Sequence, residues 1–293
     1  MAAEERNFRS YYYEKFGFRT VEEKKSVEIL LKEQHINLEK LRFFCLRFAL
    51  PAVYRTLVWK ILLGVLPPHQ SSHDFVLAQR KEQLKDLKQG LSLLNKGGDI
   101  ASPEVTLLKL FLLERGQLPF QDIDMMVSEK NKGFVAIAHA VCNIADSDFD
   151  RYWISSRFSC PEATLRCLKK EDPDHKLCHH LQEHYVLTSL PLIDWFTCCF
   201  ASVLPDISFE RVWDKVIGGS TFVLVYVAVS ILIFFRRPLL SMKSSEEMVA
   251  YLRHIPEDCG DIIVNQALDL WTQNGSQLMS SKSDSPNVDK SRN

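Results

Sequence analysis

Apolar residues recur at helical spacing along much of the chain. Between residues 75 and 94, five leucines follow one another at steps of seven, three, four and three, with mostly Lys, Glu, Gln and Asp between them. This leucine stripe consists of Leu77, Leu84, Leu87, Leu91 and Leu94. Its spacing predicts a helix with one apolar face. That face either packs on the protein core or forms a seam for a partner helix, and the sequence leaves both interpretations open.

Capping and stop signals predict where several helices begin and end. Helix starts are indicated by two capping boxes, a proline in a first turn and a serine-proline pair: Thr20 with Glu23, Ser244 with Glu247, Pro51, and Ser102 with Pro103. The first capping box places the start of the first helix at Val21. Gly64 and Gly116 follow apolar helical patterns and predict helix ends.

One run of the chain, 222–235, has fourteen residues of which only Ser230 is clearly polar. As a helix it spans about 21 Å at a rise of ~1.5 Å per residue, which is short of the ~30 Å of hydrocarbon in a bilayer. We therefore predict a buried central helix and no transmembrane segment. Residues after 274 are almost entirely polar, so we expect an N-terminal arm (1–20), one all-helical domain (21–274) and a disordered tail (275–293).

Composition and charge restrict the function classes. The 36 Lys and Arg residues nearly balance the 37 Asp and Glu residues, so the net charge produces no positive field that would attract nucleic acid. Eleven Gly and 12 Pro are too few for a many-stranded β fold, so the fold class expected is all-α. The polar N-terminus does not resemble a secretory signal, and eight cysteines without a C-x-x-C pair predict free thiols in a cytoplasmic protein.

A group of His and Cys residues suggests a metal site at first sight. Six of them fall within 25 positions, namely Cys160, Cys167, Cys178, His179, His180 and His184. No second pair at ligand spacing accompanies His180 and His184, so we expect no metal site. No nucleotide-binding or serine-hydrolase motif occurs either, and we expect no cofactor.

The segment around Pro51, Arg55 and Trp59 contains the only R-x-x-x-W in the chain. It resembles the opening motif of the TBC-domain family, helical GTPase-activating proteins for Rab-type GTPases. The resemblance continues in order over about 48–240, through Asp172-Pro173, His180-Leu181, Pro191-Leu192, Trp195-Phe196, Leu204-Pro205, Val212-Trp213-Asp214, Gly218-Gly219 and Val223 to Leu232. It implies a single TBC-type multi-helix domain.

Catalysis in that family is attributed to two finger residues, an arginine from I-x-x-D-x-x-R and a glutamine from Y-x-Q. The best placement of these motifs here puts Ser102 at the arginine position and Asp122 at the glutamine position. An aspartate would bring negative charge toward the phosphates, which opposes catalysis. Arg151, in a D-x-x-R sequence, and Arg115 are the remaining candidates for a finger.

A TBC domain with little beyond it and no finger residue implies a non-catalytic subunit. The resemblance extends to a role in the hamartin–tuberin GTPase-activating complex, which supports GTP hydrolysis by Rheb and restrains mTOR growth signalling. The implied partners are the hamartin coiled coil and, through the complex, tuberin, with recruitment to the lysosome or a vesicle surface. Two alternatives remain: an active Rab GTPase-activating protein that uses a non-standard arginine, and a Rab effector without turnover.

Overall fold

A computed structural model describes residues 19–94, 102–119, 129–158, 174–253 and 255–275. Within these residues the chain forms fifteen α-helices and no β-strand. The only extended pairing there is an isolated bridge between His35 and His69. The predicted all-α class is therefore confirmed.

Most of the helices are short and follow one another with little intervening chain. In order they are α1 (Arg19–Lys32), α2 (Leu38–Arg47), α3 (Ala52–Leu62), α4 (His73–Leu94), α5 (Pro103–Glu114), α6 (Glu129–Ile144), α7 (Asp148–Arg157), α8 (His175–Glu183), α9 (Val186–Ser189), α10 (Leu192–Thr197), α11 (Asp206–Ile217), α12 (Val223–Phe234), α13 (Arg236–Ser241), α14 (Ser245–Leu252) and α15 (Gly260–Leu270).

Several of the predicted boundary signals are present. The Ser244 hydroxyl accepts a hydrogen bond from the backbone N–H of Glu247 at 3.5 Å and so caps α14. Pro51 immediately precedes α3, and Gly64 follows the end of that helix with φ of +71°. Glycine adopts this left-handed conformation without the steric penalty that a Cβ atom brings.

Two boundary predictions need correction. Thr20 lies inside α1, which already includes Arg19, so Thr20 is not the residue that caps this helix. Ser102 does occupy the N-cap position before Pro103, but its side chain makes no capping hydrogen bond. Instead its carbonyl accepts hydrogen bonds from the backbone N–H and the hydroxyl of Thr106, at 2.9 and 3.0 Å.

The centre of the fold is α12. Its residues from Val223 to Ile231 are all buried, and the helix packs against α15 and α11. An apolar helix without a polar face is stable in water only when other elements surround it. The prediction of a buried central helix is thus confirmed. None of the helices in the described residues has both the length and the apolar character that crossing a membrane requires.

The leucine stripe faces inward over most of its length. Leu84 and Leu91 are each 6% exposed and lie in a cluster with side chains of α5, α6 and α7, and Leu87 packs against the same cluster. Leu77 packs against the main core. Only Leu94, at 46% exposure, remains open to solvent. The core-facing interpretation therefore applies to four of the five leucines, because the amphipathic helix buries its apolar face within its own domain.

The chain ends are only partly described. Residues 1–18 and 276–293 lie outside the described residues, so the expected arm and tail stay predictions. At the C-terminal end of the described residues, the backbone after α15 forms a π-helical turn, Trp271–Gly275.

Candidate functional site

The two tryptophan-containing motifs meet at one buried carboxylate. Arg55 and Trp59 are four residues apart on α3 and project from the same face toward α11. There the Asp214 carboxylate, which is fully buried, accepts hydrogen bonds through Oδ1 from Arg55 Nε at 3.2 Å and from Trp59 Nε1 at 2.9 Å. Residues separated by 155 positions in the sequence are thereby joined at a single oxygen.

The remaining hydrogen-bond donors of Arg55 are also engaged inside the protein. Its Nη1 forms an ion pair with the Glu210 carboxylate, and its Nη2 donates to the Leu50 carbonyl at 3.0 Å. Because the guanidinium is a planar fork, these partners fix its orientation in the junction. Arg55 therefore connects α3 to α11 and to the chain before Pro51, and it does not extend toward solvent.

Lys215 extends the same junction to α2. Its Nζ donates to the carbonyls of Cys45 and Phe48, both at 2.7 Å, at the C-terminal end of that helix. A cation at this position also compensates the partial negative charge of the helix end. Burial lowers the pKa of Lys215, and the neighbouring Asp214 carboxylate opposes that change. Burial raises the pKa of Asp214, and the positive charge of Arg55 opposes that increase.

The cysteine beside this junction, Cys45, is fully buried. Burial raises the pKa of the Cys45 thiol to about 12, and the charge of Asp214 contributes in the same direction. The reactive form of cysteine is the thiolate, which this environment disfavours. The geometry therefore supports a packing role for Cys45.

Aromatic side chains surround the junction. Trp213, with no exposed surface, has ring centroids of Trp59, Phe158 and Phe209 at 5.9, 4.5 and 4.8 Å. Its Nε1 donates to the Cys199 carbonyl at 2.9 Å. Cys199 itself has φ of +48°, an unusual conformation for a residue with a side chain. The Trp213 bond thus stabilises a left-handed turn after α10.

Trp195, the other tryptophan of the family motif, lies on α10 and is 2% exposed. Its ring centroid lies 5.6 Å from that of Phe200, the second residue of the left-handed turn. Its carbonyl also accepts the backbone N–H of Phe200 at 2.9 Å. The predicted motif residues on α3, α10 and α11 therefore all serve the packing of one core.

The degenerate finger positions are described only in part. Ser102 is exposed at the start of α5, and Asp122 lies outside the described residues. A serine side chain is short and neutral and supplies no charge to a phosphate.

The two alternative arginines have different surroundings. Arg151 donates from Nε to the Ala145 carbonyl at 2.8 Å and forms an ion pair with Asp148 at 3.4 Å, so it stabilises the turn between α6 and α7. Arg115 follows α5, is exposed, and has its guanidinium carbon 4.4 Å from the centre of the Phe111 ring. Each guanidinium therefore contacts groups of its own domain.

Sequence reasoning missed two members of the junction. Glu210 precedes Asp214 by four residues on α11, so helical spacing could have identified it as a second acceptor for Arg55. Lys215 could not have been identified in this way. Its partners are backbone carbonyls of α2, and no pattern of residue types encodes them.

Comparison with known proteins gives close relatives over nearly the whole chain. TBC1 domain family member 7 from Homo sapiens is 42% identical over 280 residues, covering 91% of this chain and 94% of the relative. The proteins of the same name from Xenopus tropicalis and Danio rerio are each 40% identical, again over 91% of this chain.

Solved structures and a sequence model of the family agree with these relatives. The Ypt/Rab-GAP domain of Gyp1p is similar with a TM-score of 0.56 at 15% identity, covering 86% of this chain and 98% of that chain. The TBC domain of a Chlamydomonas flagellar RabGAP has a TM-score of 0.50 at 16% identity, with 85% of each chain covered. The model of the Rab-GTPase-TBC domain matches residues 159–240. These relatives, the helical fold and the Arg55–Trp59–Asp214 junction lead to one conclusion: the chain belongs to the TBC-domain family.

Proposed function

We propose that this protein is a non-catalytic TBC subunit that binds the coiled coil of hamartin and stabilises the hamartin–tuberin complex. In that complex tuberin supplies the catalytic activity that accelerates GTP hydrolysis by Rheb and so restrains mTOR signalling. The subunit is cytoplasmic and reaches the lysosome or a vesicle surface through the complex. The observation that carries this proposal is the serine at position 102, which the family resemblance predicts to stand at the place of the arginine finger.

The physical argument rests on the charge that an arginine finger supplies. A finger stabilises the charge that develops on the transferred phosphoryl group and contributes about 10³ to 10⁵ in rate. Ser102 has no charge to contribute. The guanidinium of Arg151 is held by the Ala145 carbonyl and the Asp148 carboxylate, and its release toward a GTPase requires both contacts to break. The chain thus retains the scaffold of the family without its electrostatic catalyst.

We expect the isolated chain to leave GTP hydrolysis by Rab proteins at its intrinsic rate. The measurement is single-turnover hydrolysis of GTP by a panel of Rab proteins with the full chain in excess. A second arm compares Rheb hydrolysis by hamartin and tuberin with and without this chain. In that arm we expect a larger yield of intact complex and no change in the rate per assembled complex.

Two outcomes would contradict the adaptor proposal. An acceleration of about 10³-fold or more that is lost in Arg151→Ala or Arg115→Ala identifies an active enzyme with a non-standard finger. Since Arg151→Ala also removes a contact to Ala145, its thermal melt must first match that of the wild type within a few degrees. Retention of a GTP-loaded Rab without turnover identifies an effector.

The partner surface is proposed at the C-terminal end of α4. Leu93 and Leu94 are 69% and 46% exposed there, whereas Leu91, three positions before Leu94, is buried. We expect Leu94→Glu to abolish co-purification with the hamartin coiled coil while the helical circular dichroism is unchanged. Leu91→Glu is the matched variant and should destabilise the domain by about 3 kcal/mol, since it buries a carboxylate without a partner.

An exposed apolar surface on α2 is the alternative binding site to the end of α4. Phe43 on α2 is 56% exposed and lines a shallow apolar groove together with Leu30, Phe44 and Phe48. Co-purification that survives Leu94→Glu but is lost in Phe43→Glu would assign the partner to α2 and overturn the assignment to α4. The two variants carry the same substitution at exposed sites, so a general effect of added charge is controlled.

A further inference from the structure

Three potential metal ligands lie together at the C-terminal end of α8. His180, Glu183 and His184 have spacings of three and four residues, which places them on one face of the helix. Each offers one ligand atom, and these atoms all lie within 4.8 Å of one another. The two imidazole ring centroids are 4.6 Å apart. This arrangement is independent of the Arg55–Trp59–Asp214 junction.

Backbone contacts fix the tautomer of the first histidine. His180 Nε2 lies 3.0 Å from the Leu239 carbonyl and 3.1 Å from the Met242 carbonyl. A carbonyl oxygen only accepts hydrogen bonds, so Nε2 carries a proton, and in the neutral ring Nδ1 is the nitrogen with a lone pair. A histidine ligand that donates its other ring N–H to a backbone carbonyl is the usual outer-shell arrangement of metal sites. The ring is therefore oriented for ligation through Nδ1.

We propose that His180, Glu183 and His184 bind one Zn²⁺ ion, with water at the fourth position. Two imidazole nitrogens and one carboxylate oxygen are a common ligand set for zinc. At bond lengths of about 2.1 Å, tetrahedral ligand atoms lie about 3.4 Å apart. The ligand atoms now lie within 4.8 Å of one another, so reaching the tetrahedral distance requires rotation of the exposed Glu183 and half-buried His184 side chains. Mg²⁺ and Ca²⁺ prefer oxygen ligands and do not suit this set.

The sequence alone predicts no metal site, because no second ligand pair accompanies His180 and His184. The structure adds Glu183 beside them as a third potential ligand, in the spacing H-x-x-E-H. Because His180 contacts the segment at the end of α13, a bound ion would strengthen the junction between α8 and that segment. The inferred role is structural and does not depend on the proposed function.

His179 provides a matched control. Its Nδ1 lies 3.8 Å from the Glu183 carboxylate, but it is not one of the three grouped ligands, and its side chain is 78% exposed. Replacing it removes one histidine from the same helix without removing a proposed ligand. Glu183→Gln is nearly isosteric at an exposed position and should leave the fold intact.

The experiment is a titration of the purified, chelator-treated full chain with ZnSO₄ against a chromophoric zinc chelator, followed by thermal melts. We expect one Zn²⁺ per chain and a higher melting temperature in its presence. His184→Ala and Glu183→Gln should weaken binding at least tenfold and remove the thermal shift. His179→Ala should bind as the wild type does, and MgCl₂ should neither compete nor stabilise.

Specific outcomes overturn the site. Binding below half an ion per chain, or binding that is unchanged in both Glu183→Gln and His184→Ala, excludes it. Zinc held by thiols is the main competing explanation, because Cys178 lies two positions before His180. Binding that is lost in Cys178→Ser and retained in His184→Ala would assign the ion to cysteine and contradict the proposal.

Discussion

Replacing Asp214 by alanine is expected to destabilise the protein by about 3–5 kcal/mol, which is a large part of the stability of a typical domain. The substitution leaves the Arg55 guanidinium and the Trp59 N–H buried without the acceptor that they share. Removing Asp214 deprives the buried Arg55 charge of one of its two carboxylate partners and leaves only Glu210, and this accounts for most of the loss. The measurement is chemical denaturation, with the free energy of unfolding extrapolated to water.

Asp261→Ala is the control for this prediction. Asp261 also pairs with an arginine, Arg211, at 2.9 Å, but its side chain is 64% exposed. Exposed ion pairs contribute about 0–1 kcal/mol, so this variant should remain close to the wild type. If Asp214→Ala were to lose less than about 1 kcal/mol, the junction could not be the main connection between α3 and α11.

Replacing Trp213 by alanine should destabilise the protein by about 3–5 kcal/mol. The side chain is fully buried against Trp59, Phe158 and Phe209, so its removal leaves a large cavity. The variant also loses the hydrogen bond to the Cys199 carbonyl, which sits in a left-handed turn. Denaturation at the same protein concentration measures the loss directly.

A graded series separates the two contributions. Trp213→Phe retains most of the apolar volume but removes the N–H donor and part of the bicyclic ring, so its loss should be about 1–3 kcal/mol. Phe75→Ala, at a position that is 68% exposed, should change stability by less than about 0.5 kcal/mol. Equal losses for Trp213→Phe and Trp213→Ala would mean that the turn, and not the packing of the indole, is what Trp213 maintains.

These two residues explain the arrangement of the family motifs. Trp213 and Asp214 are adjacent on α11, yet the first closes the core toward α10 and the second receives the side chains of α3. The opening motif and the Trp-Asp motif therefore form one structural unit. This unit maintains the fold whether or not the protein is a catalyst.

The sequence by itself determined the local features of this protein. Leucine spacing predicted α4, the apolar run predicted α12, and Gly64 marked the end of α3, because helical periodicity and backbone conformation are properties of neighbouring residues. The serine at position 102, where the family resemblance predicts the finger arginine, was also readable, since it concerns residue identity alone. None of these features depends on how distant elements meet.

Only the tertiary structure decided which distant groups meet. It brought Arg55 and Trp59 to Asp214, directed Lys215 to the carbonyls of α2, and packed four leucines of the stripe against the core. It also set His180 against the Leu239 carbonyl and brought it together with Glu183 and His184. Amphipathic spacing predicts that a helix has an apolar face, but the element that packs on that face depends on the packing of the whole chain.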